Sequence, residues 1–349
     1  MRGVVFTGDR TIELAEARDP TPGPTDVVLE MKASGLCGSD LRFYRAPKGF
    51  DFASIGLKRG DGPVIAGHEP CGVIAAVGRE AAAQNWRVGD RVMVHHYKGC
   101  NVCPQCRTGW TQMCEEGAVV YGVTGDGGHA PYMKAPASTL VRLPEELSFS
   151  TGAAISCGTG TAFGALVRMG VTARDTVVIV GQGPVGLSAT QIAAAMGARV
   201  IAVDISPERV QRAARFGAAE TVDASAADPV DAIRALTGGR GASRTMDASG
   251  TAAGRSVAVR AAGRWGVVAL VGEGGEMTVD VSRDMLRKQL TVVGSWTFST
   301  VGQRDCAEFI ARHGIDVDAL FSDTWRLDQA DEAYRKFDGQ ASGKAVFVM

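Results

Sequence analysis

The chain has 349 residues, with 37 basic and 38 acidic side chains for a formal charge of −1, and 45% of its residues are hydrophobic. This length exceeds the usual span of a single core and predicts two domains, while the balanced charge leaves no basic footprint for nucleic acid or an anionic membrane. The 45 glycines follow no three-residue period, which excludes a collagen-like reading, and no uncharged apolar run approaches the roughly 18 residues of a membrane span.

The first segment, GVVFTG, reads as a strand rather than as a charged and then apolar leader, so the expected compartment is the cytoplasm. Residues 1–150 alternate short β-type runs (VVLEMK, GVIAAVG, RVMVHH, HAPYMKAP) with Gly, Pro and Asp clusters, which predicts an irregular all-β domain rather than helices. From about residue 151 the texture changes. TVVIV (176–180), RVIAVD (199–204), AETVDA (219–224), SRTMDAS (243–249) and WGVVALVG (265–272) have buried-strand length, and helical stretches such as GLSATQIAAAM and PERVQRAARFG separate them. That alternation predicts an α/β, doubly wound parallel sheet. After about 295, helix-like VGQRDCAEFIARHG and LDQADEAYRKFD precede a terminal strand, KAVFVM. With no internal repeat or long linker, the two domains are expected to pack closely around a cleft.

Four of the eight cysteines crowd together as Cys100-x-x-Cys103-x-x-Cys106-x7-Cys114. Four thiolates on a short loop close a tetrahedral structural zinc site. The run also resembles the start of a ferredoxin motif, but there the fourth cysteine follows after three residues and precedes proline, so the spacing favours zinc. Far from this cluster stand Cys37, His68-Glu69 and Cys157, which together offer the thiolate, imidazole and carboxylate types of a catalytic zinc site. Cys71 and Cys306 are expected to be packing residues.

Directly after TVVIV comes Gly181-Gln182-Gly183-Pro184-Val185-Gly186, a G-x-G-x-x-G that opens a helix. The first glycine permits the tight turn, the second lets the backbone approach a pyrophosphate, and the third allows close packing of helix on strand. Asp204 ends the next strand, where it can accept from ribose hydroxyls and repel a 2′-phosphate, so NAD is expected over NADP; the alternative is that it caps the helix near Pro207. Arg209 is expected either to lie over the adenine face or to be an exposed helix arginine.

GLCGSD, GHEPCG, GCNVCPQCRTGWTQMC, GQGPVGL and SGKAVFVM, in that order, resemble the zinc-dependent medium-chain dehydrogenase/reductase superfamily over nearly the whole chain. The resemblance implies a GroES-like β-rich catalytic domain over 1–150, with a structural zinc lobe at about 97–115, and a Rossmann NAD-binding domain over 151–295. Residues 296–349 would complete the catalytic domain. It implies two zinc ions per chain. Cys37, His68 and Cys157 would ligate the catalytic zinc, and Glu69 would be an exchangeable ligand or a carboxylate behind it. Ser39 would touch the substrate oxygen, Asp40 would support the ligand residues, Thr161 would lie against the nicotinamide, and Lys344 would be the family's basic residue near the C-terminus. Many members carry a proton-relaying histidine five residues after the first ligand; here that residue is Arg42, a poor acid or base. His95, His96 and His129 are possible substitutes, although their plainer reading is as loop or strand residues.

The reaction expected from this resemblance is reversible NAD-linked oxidation of a secondary alcohol, a polyol or a threonine-like hydroxy compound. Cysteine at 157 suits alcohol dehydrogenases, while GLCGSDL and AGHEP look like the polyol and threonine branch. A primary-alcohol enzyme and a catalytically silent NAD-binding protein are the alternatives; the zinc-free reductases of the fold lack both cysteine sets. The expected partners are a small-molecule alcohol and further copies of the chain, as a homodimer or homotetramer, with Phe43, Tyr44, Tyr121, Trp296 and Phe298 as pocket walls.

Overall fold

The computed structural model describes residues 1–57, 60, 62–339 and 343–349. The chain divides into two compact units, one formed by 1–157, 298–312 and 316–349 and the other by 158–297 with 313–315. Ser342, the first residue of the SGKAVFVM motif, lies outside the described residues. No helix among the described residues is long and apolar enough to cross a membrane.

The first unit is organised by one long strand, Asp26–Leu36. It pairs antiparallel with Glu69–Val77, Tyr132–Pro136 and the C-terminal Lys344–Val348. Val27, Leu29 and Met31 join Ile74, Val92 and Met133 in one apolar core, and Leu36 joins Val4, Tyr44, Tyr334 and Phe347 in another. The register sets Gly35 opposite Glu69 and Leu36 opposite Ala345, so Cys37, His68 and Lys344 all arrive at the same end of the sheet.

The β-rich reading of this region holds, but the expectation of an all-β domain without helices needs one correction. Short helices Asp40–Tyr44, Arg79–Ala83, Pro104–Arg107 and Phe149–Ile155 punctuate it, too brief to leave a 3.6-residue apolar period in the sequence. The C-terminal segment contributes helices Thr300–His313 and Ala330–Asp338, as well as a strand, Phe321–Trp325, whose mixed SDT centre hides it from a hydrophobicity reading.

The second unit is a six-stranded parallel sheet ordered Glu220–Asp223, Arg199–Asp204, Thr176–Val180, Ala242–Asp247, Ala262–Leu270 and Thr291–Gly294. With Thr176–Val180 as the first strand this is the 3-2-1-4-5-6 order of a dinucleotide fold, whose ligands bind at the carboxyl ends of the strands where the order reverses. The sixth strand is only TVVG, four residues long, too short to stand out as an apolar run in the sequence.

Phe347 is fully buried on the C-terminal strand and meets the His129 ring edge-on at 4.7 Å between centroids. Because that strand belongs to the sheet carrying the site, Phe347→Ala should destabilise the first unit by about 3–5 kcal/mol. A lowered denaturant midpoint, read by a probe within that unit, checks this.

Candidate active site and dinucleotide cradle

The residues of the second metal set converge in the first unit: one ligand atom from each of Cys37, His68, Glu69 and Cys157 lies within 4.8 Å of all the others. Cys37 follows the end of the long strand, His68 precedes its neighbour and Glu69 opens it, and Cys157 follows the helix Phe149–Ile155. Zinc bonds of about 2.0–2.3 Å in tetrahedral array space the ligand atoms roughly 3.3–3.8 Å apart. The Cys37 and Cys157 sulfurs are 3.9 Å apart, so the donor set fits such an ion.

The polar surroundings prepare each donor. His68 Nδ1 donates to Asp40 Oδ1 at 2.7 Å, which leaves Nε2 to face the cluster, and Asp40 Oδ2 accepts the Cys37 backbone N–H at 2.9 Å. Burial works against charge on His68, but the Asp40 carboxylate overcomes it and lifts the imidazole well above its usual range. The hydrogen bond from the Cys157 thiol, with His68 nearby, holds Cys37 well below an ordinary thiol against the cost of its burial. Glu69 is fully buried and ion-paired to Lys344 at 2.5 Å, and Lys344 also donates to Leu36 O at 3.1 Å. Burial pushes Glu69 up to about 8, with Lys344 opposing it. A Cβ on Gly35 would lie 1.9 Å from Glu69 Oε2, so only glycine there admits the carboxylate.

Ser39 is exposed and its hydroxyl lies 3.2 Å from His68 Nε2, beside the position a metal would take. Arg42, three residues on, is exposed. His95 and His96 do not supply a relay: burial holds both neutral, His95 near 4, with His95 Nδ1 facing Gln303 Oε1 at 3.3 Å and His96 Nδ1 donating to Ser156 O at 2.7 Å. Cys71 and Cys306 are fully buried packing thiols, their ionisation suppressed by burial.

A cavity of about 860 Å³ in the first unit is walled by Phe6, Phe43, Phe50, Phe52, Leu57 and Val123. Phe43 stacks on Phe52 at 5.7 Å and lies one helical turn beyond Ser39. Of the five expected wall residues Phe43 alone lines it. Tyr44 and Tyr121 are turned into apolar cores, Phe298 is buried against the His95 ring, and Trp296 belongs to the other unit, where it donates to Glu273. Tyr44 ends a five-residue helix and Tyr121 follows a two-residue strand, segments too short for periodicity to tell a core position from a pocket wall.

The four-cysteine lobe also forms a donor cage. One ligand atom from each of Cys100, Cys103, Cys106 and Cys114 lies within 4.8 Å of the others, with Cys100 and Cys106 sulfurs 4.0 Å apart. Backbone N–H groups turn inward: Cys103 N donates to Cys100 Sγ at 3.3 Å and Cys100 N to Cys114 Sγ at 3.3 Å. The N–H of Cys106 helps to bring the Cys103 thiol down to about 6, ready to ionise. Gly99 makes room, since a Cβ there would sit 2.4 Å from Cys106 Sγ.

In the second unit, Gly181 has φ +89°, and a Cβ on Gly186 would fall 1.8 Å from Gly181 O. At Gly183 a Cβ would meet nothing within 4 Å, which leaves open space where a ligand would approach. Gly183 N-caps the helix Pro184–Ala195, which also carries Val185, without a side-chain cap, whereas Ser206, Asp228 and Thr251 cap the next three helices. Its first N–H groups thus lack the partner a phosphate would supply, so the cradle fits a dinucleotide. Asp204 Oδ2 accepts Gln182 N at 2.6 Å and Oδ1 accepts Ser206 N at 2.9 Å, so it fastens the glycine turn to the second strand. The helix at Pro207 is capped by Ser206 rather than by Asp204. Arg209 and Thr161 are half-buried on the helices Pro207–Arg215 and Gly158–Arg168.

Replacing one thiolate of the lobe by a neutral hydroxyl breaks a closed cage. Cys103→Ser should lower the bound zinc by about one ion per chain and reduce thermal stability, as metal analysis and a melting curve would show.

Residues 23–145 match the alcohol dehydrogenase GroES-like domain family and residues 184–313 the zinc-binding dehydrogenase family. The zinc-type alcohol dehydrogenase-like protein YphC of Escherichia coli (strain K12) is 37% identical over 348 residues, covering 99% of this chain and 98% of its own. The L-threonine 3-dehydrogenase of Symbiobacterium thermophilum is 30% identical over 342 residues, covering 96% and 93% respectively. Alcohol dehydrogenase TADH from Thermus sp. ATN1 superimposes with a TM-score of 0.89 at 28% identity, covering 100% of this chain and 99% of its own. The two family matches and the full-length similarity to these relatives, with two cysteine-containing donor cages and a glycine-rich dinucleotide cradle in the structure, mean that the chain belongs to the zinc-dependent medium-chain dehydrogenase/reductase superfamily, as an alcohol dehydrogenase-type oxidoreductase using zinc and a nicotinamide dinucleotide.

Proposed function

We propose that this chain catalyses the reversible, NAD-linked oxidation of a secondary alcohol or polyol, or of a threonine-like hydroxy compound, to the carbonyl. The observation that carries the reading is the Ser39 hydroxyl 3.2 Å from His68 Nε2, at the rim of the Cys37, His68, Glu69 and Cys157 cluster. Cys37, His68 and Cys157 would hold zinc, with Glu69 exchangeable behind them. Zinc supplies Lewis acidity toward the alcohol oxygen, and the nicotinamide supplies the hydride acceptor.

The chain's own residues then have distinct tasks. Ser39 Oγ accepts the alcohol proton and passes its own outward; being exposed, it meets water directly, so the absence of a histidine at Arg42 does not interrupt the path. The ribose hydroxyl with water is the continuation this reading assigns. Asp40 keeps His68 in one tautomer, and Lys344 neutralises Glu69 in the sheet behind the cluster. The cavity walled by Phe43, Phe50 and Phe52, with Phe43 on the helix that follows Ser39, is the part of the first unit this reading assigns to the carbon side of a substrate. A primary alcohol is the second reading, favoured by the thiol of Cys157 in the donor set.

NADH formation followed at 340 nm with secondary alcohols, polyols, threonine and primary alcohols tests the proposal. Turnover confined to primary alcohols would overturn the substrate class, and turnover with none would overturn the activity. Ser39→Ala should lower kcat by roughly 10²- to 10⁴-fold with zinc content unchanged. Full activity in that variant would remove Ser39 from the mechanism.

NAD preference is assigned to Asp204. Asp204→Ala should shrink the ratio of kcat/KM for NAD over NADP by about tenfold or more, since it removes both an acceptor for the ribose and the repulsion of a 2′-phosphate. Loosening of the Gln182 turn would weaken both cofactors alike, so the ratio isolates the selectivity effect.

A further inference from the structure

Behind the cluster runs a chain of buried polar groups that catalysis by Ser39 does not use. Tyr334 OH donates to Asp40 Oδ2 at 3.3 Å, His129 Nε2 lies 2.8 Å from Tyr334 OH, and His129 Nδ1 lies 2.7 Å from Ser34 Oγ. Ser34, His129 and Tyr334 are all fully buried, and Asp40 is 1% exposed.

Only one direction of donation satisfies every atom. The Asp40 carboxylate accepts and cannot donate, so the single Tyr334 proton points to it. The Tyr334 oxygen must then accept from His129 Nε2–H, and the Ser34 hydroxyl donates to His129 Nδ1. His129 is neutral in this arrangement, in keeping with burial, which holds it down near 4. Asp40 thus receives the Cys37 N–H, the His68 Nδ1–H and the Tyr334 O–H.

The backbone is shaped around the chain. Gly67, at φ +93° and immediately before His68, is the position where a Cβ would come 2.3 Å from His129 Nδ1; at Gly128 a Cβ would come 3.0 Å from Ser34 Oγ. The Tyr334 ring is locked edge-on to Phe6 at 5.0 Å and tilted against Tyr44 at 5.4 Å. Within the same apolar cluster, Tyr44 OH is buried without a hydrogen-bond partner. Two tyrosines therefore share one environment, and only the Tyr334 hydroxyl is connected to the site.

We propose that Tyr334, backed by His129 and Ser34, is a positioning residue that fixes the orientation and donor strength of His68 through Asp40. It rests on the reading of Cys37, His68, Glu69 and Cys157 as the catalytic metal site. Partners that orient a ligating histidine typically influence metal affinity by about 10- to 100-fold, and a group that fixes such a partner acts in the same direction at the lower end.

The test compares Tyr334→Phe with Tyr44→Phe in the zinc-loaded, full-length protein. Chelator competition separates zinc held by the four-cysteine lobe from zinc held by the second cluster, and cobalt substitution at that cluster reports ligand geometry in its visible bands. Tyr334→Phe should weaken zinc binding at the second cluster by about tenfold and shift the cobalt bands, with the lobe unaffected. Tyr44→Phe should do neither. Should Tyr334→Phe not fold, Ser34→Ala carries the same test, with a smaller shift in the same direction expected. An affinity within twofold of wild type and an unchanged cobalt spectrum in Tyr334→Phe, or in Ser34→Ala where that variant stands in, would overturn the proposal, as would an equal effect of Tyr44→Phe. A wild-type protein that holds zinc in the lobe alone would instead overturn the reading of the cluster, and this proposal with it.

Discussion

The first unit is built around a concentration of candidate metal donors, two of them buried and two half-buried. Cys37, His68, Glu69 and Cys157 crowd their ligand atoms into less than 5 Å, with Glu69 fully buried and His68 nearly so. Buried charge is tolerated only where it is paired or coordinates a metal. The surroundings meet that demand from several sides: Asp40 orients His68, Lys344 pairs with Glu69, and the cluster itself offers a cage for a divalent cation. An isolated buried ion pair is weak evidence for stability. Here the pair belongs to a larger arrangement, and the arrangement explains its presence.

Strand register is what makes the arrangement possible. Cys37 follows the long strand, His68 precedes its neighbour and Lys344 begins the C-terminal strand, so the pairing of Gly35 with Glu69 and Leu36 with Ala345 delivers all of them together. A slip of one residue would turn every side chain on a strand to the opposite face and scatter the donors. The C-terminal segment is thus part of the site as well as of the core. It brings Lys344 to Glu69, Phe347 to His129, and Tyr334 to Asp40.

The second unit solves a different problem, the binding of anionic phosphate by neutral backbone. Its glycines create the close approaches that such binding needs, and the uncapped helix Pro184–Ala195 leaves donors available. Asp204 has a structural part besides the cofactor choice proposed for it, because its carboxylate is already engaged by two backbone N–H groups. That second part is invisible to a motif reading, which counts Asp204 only as a ribose partner.

The local motifs were legible because their chemistry is local. The spacing of Cys100, Cys103, Cys106 and Cys114, the glycines from 181 to 186, and the alternation of strands with helices all lie in short windows, where neighbouring residues alone dictate a metal loop, a phosphate turn or a parallel sheet. The order of the motifs likewise carried the family. What sequence order could not carry was anything depending on residues far apart: Tyr334 meets Asp40 across 294 positions and His129 across 205. Tyr44 and Tyr121 face apolar cores instead of the pocket for the same reason, since which face of a short segment is covered depends on distant strands. By itself the sequence determined which chemical groups the protein owns and the folds that its periodicities allow. The tertiary structure alone decided which of those groups meet, because burial and strand register, rather than spacing along the chain, set the distances between them.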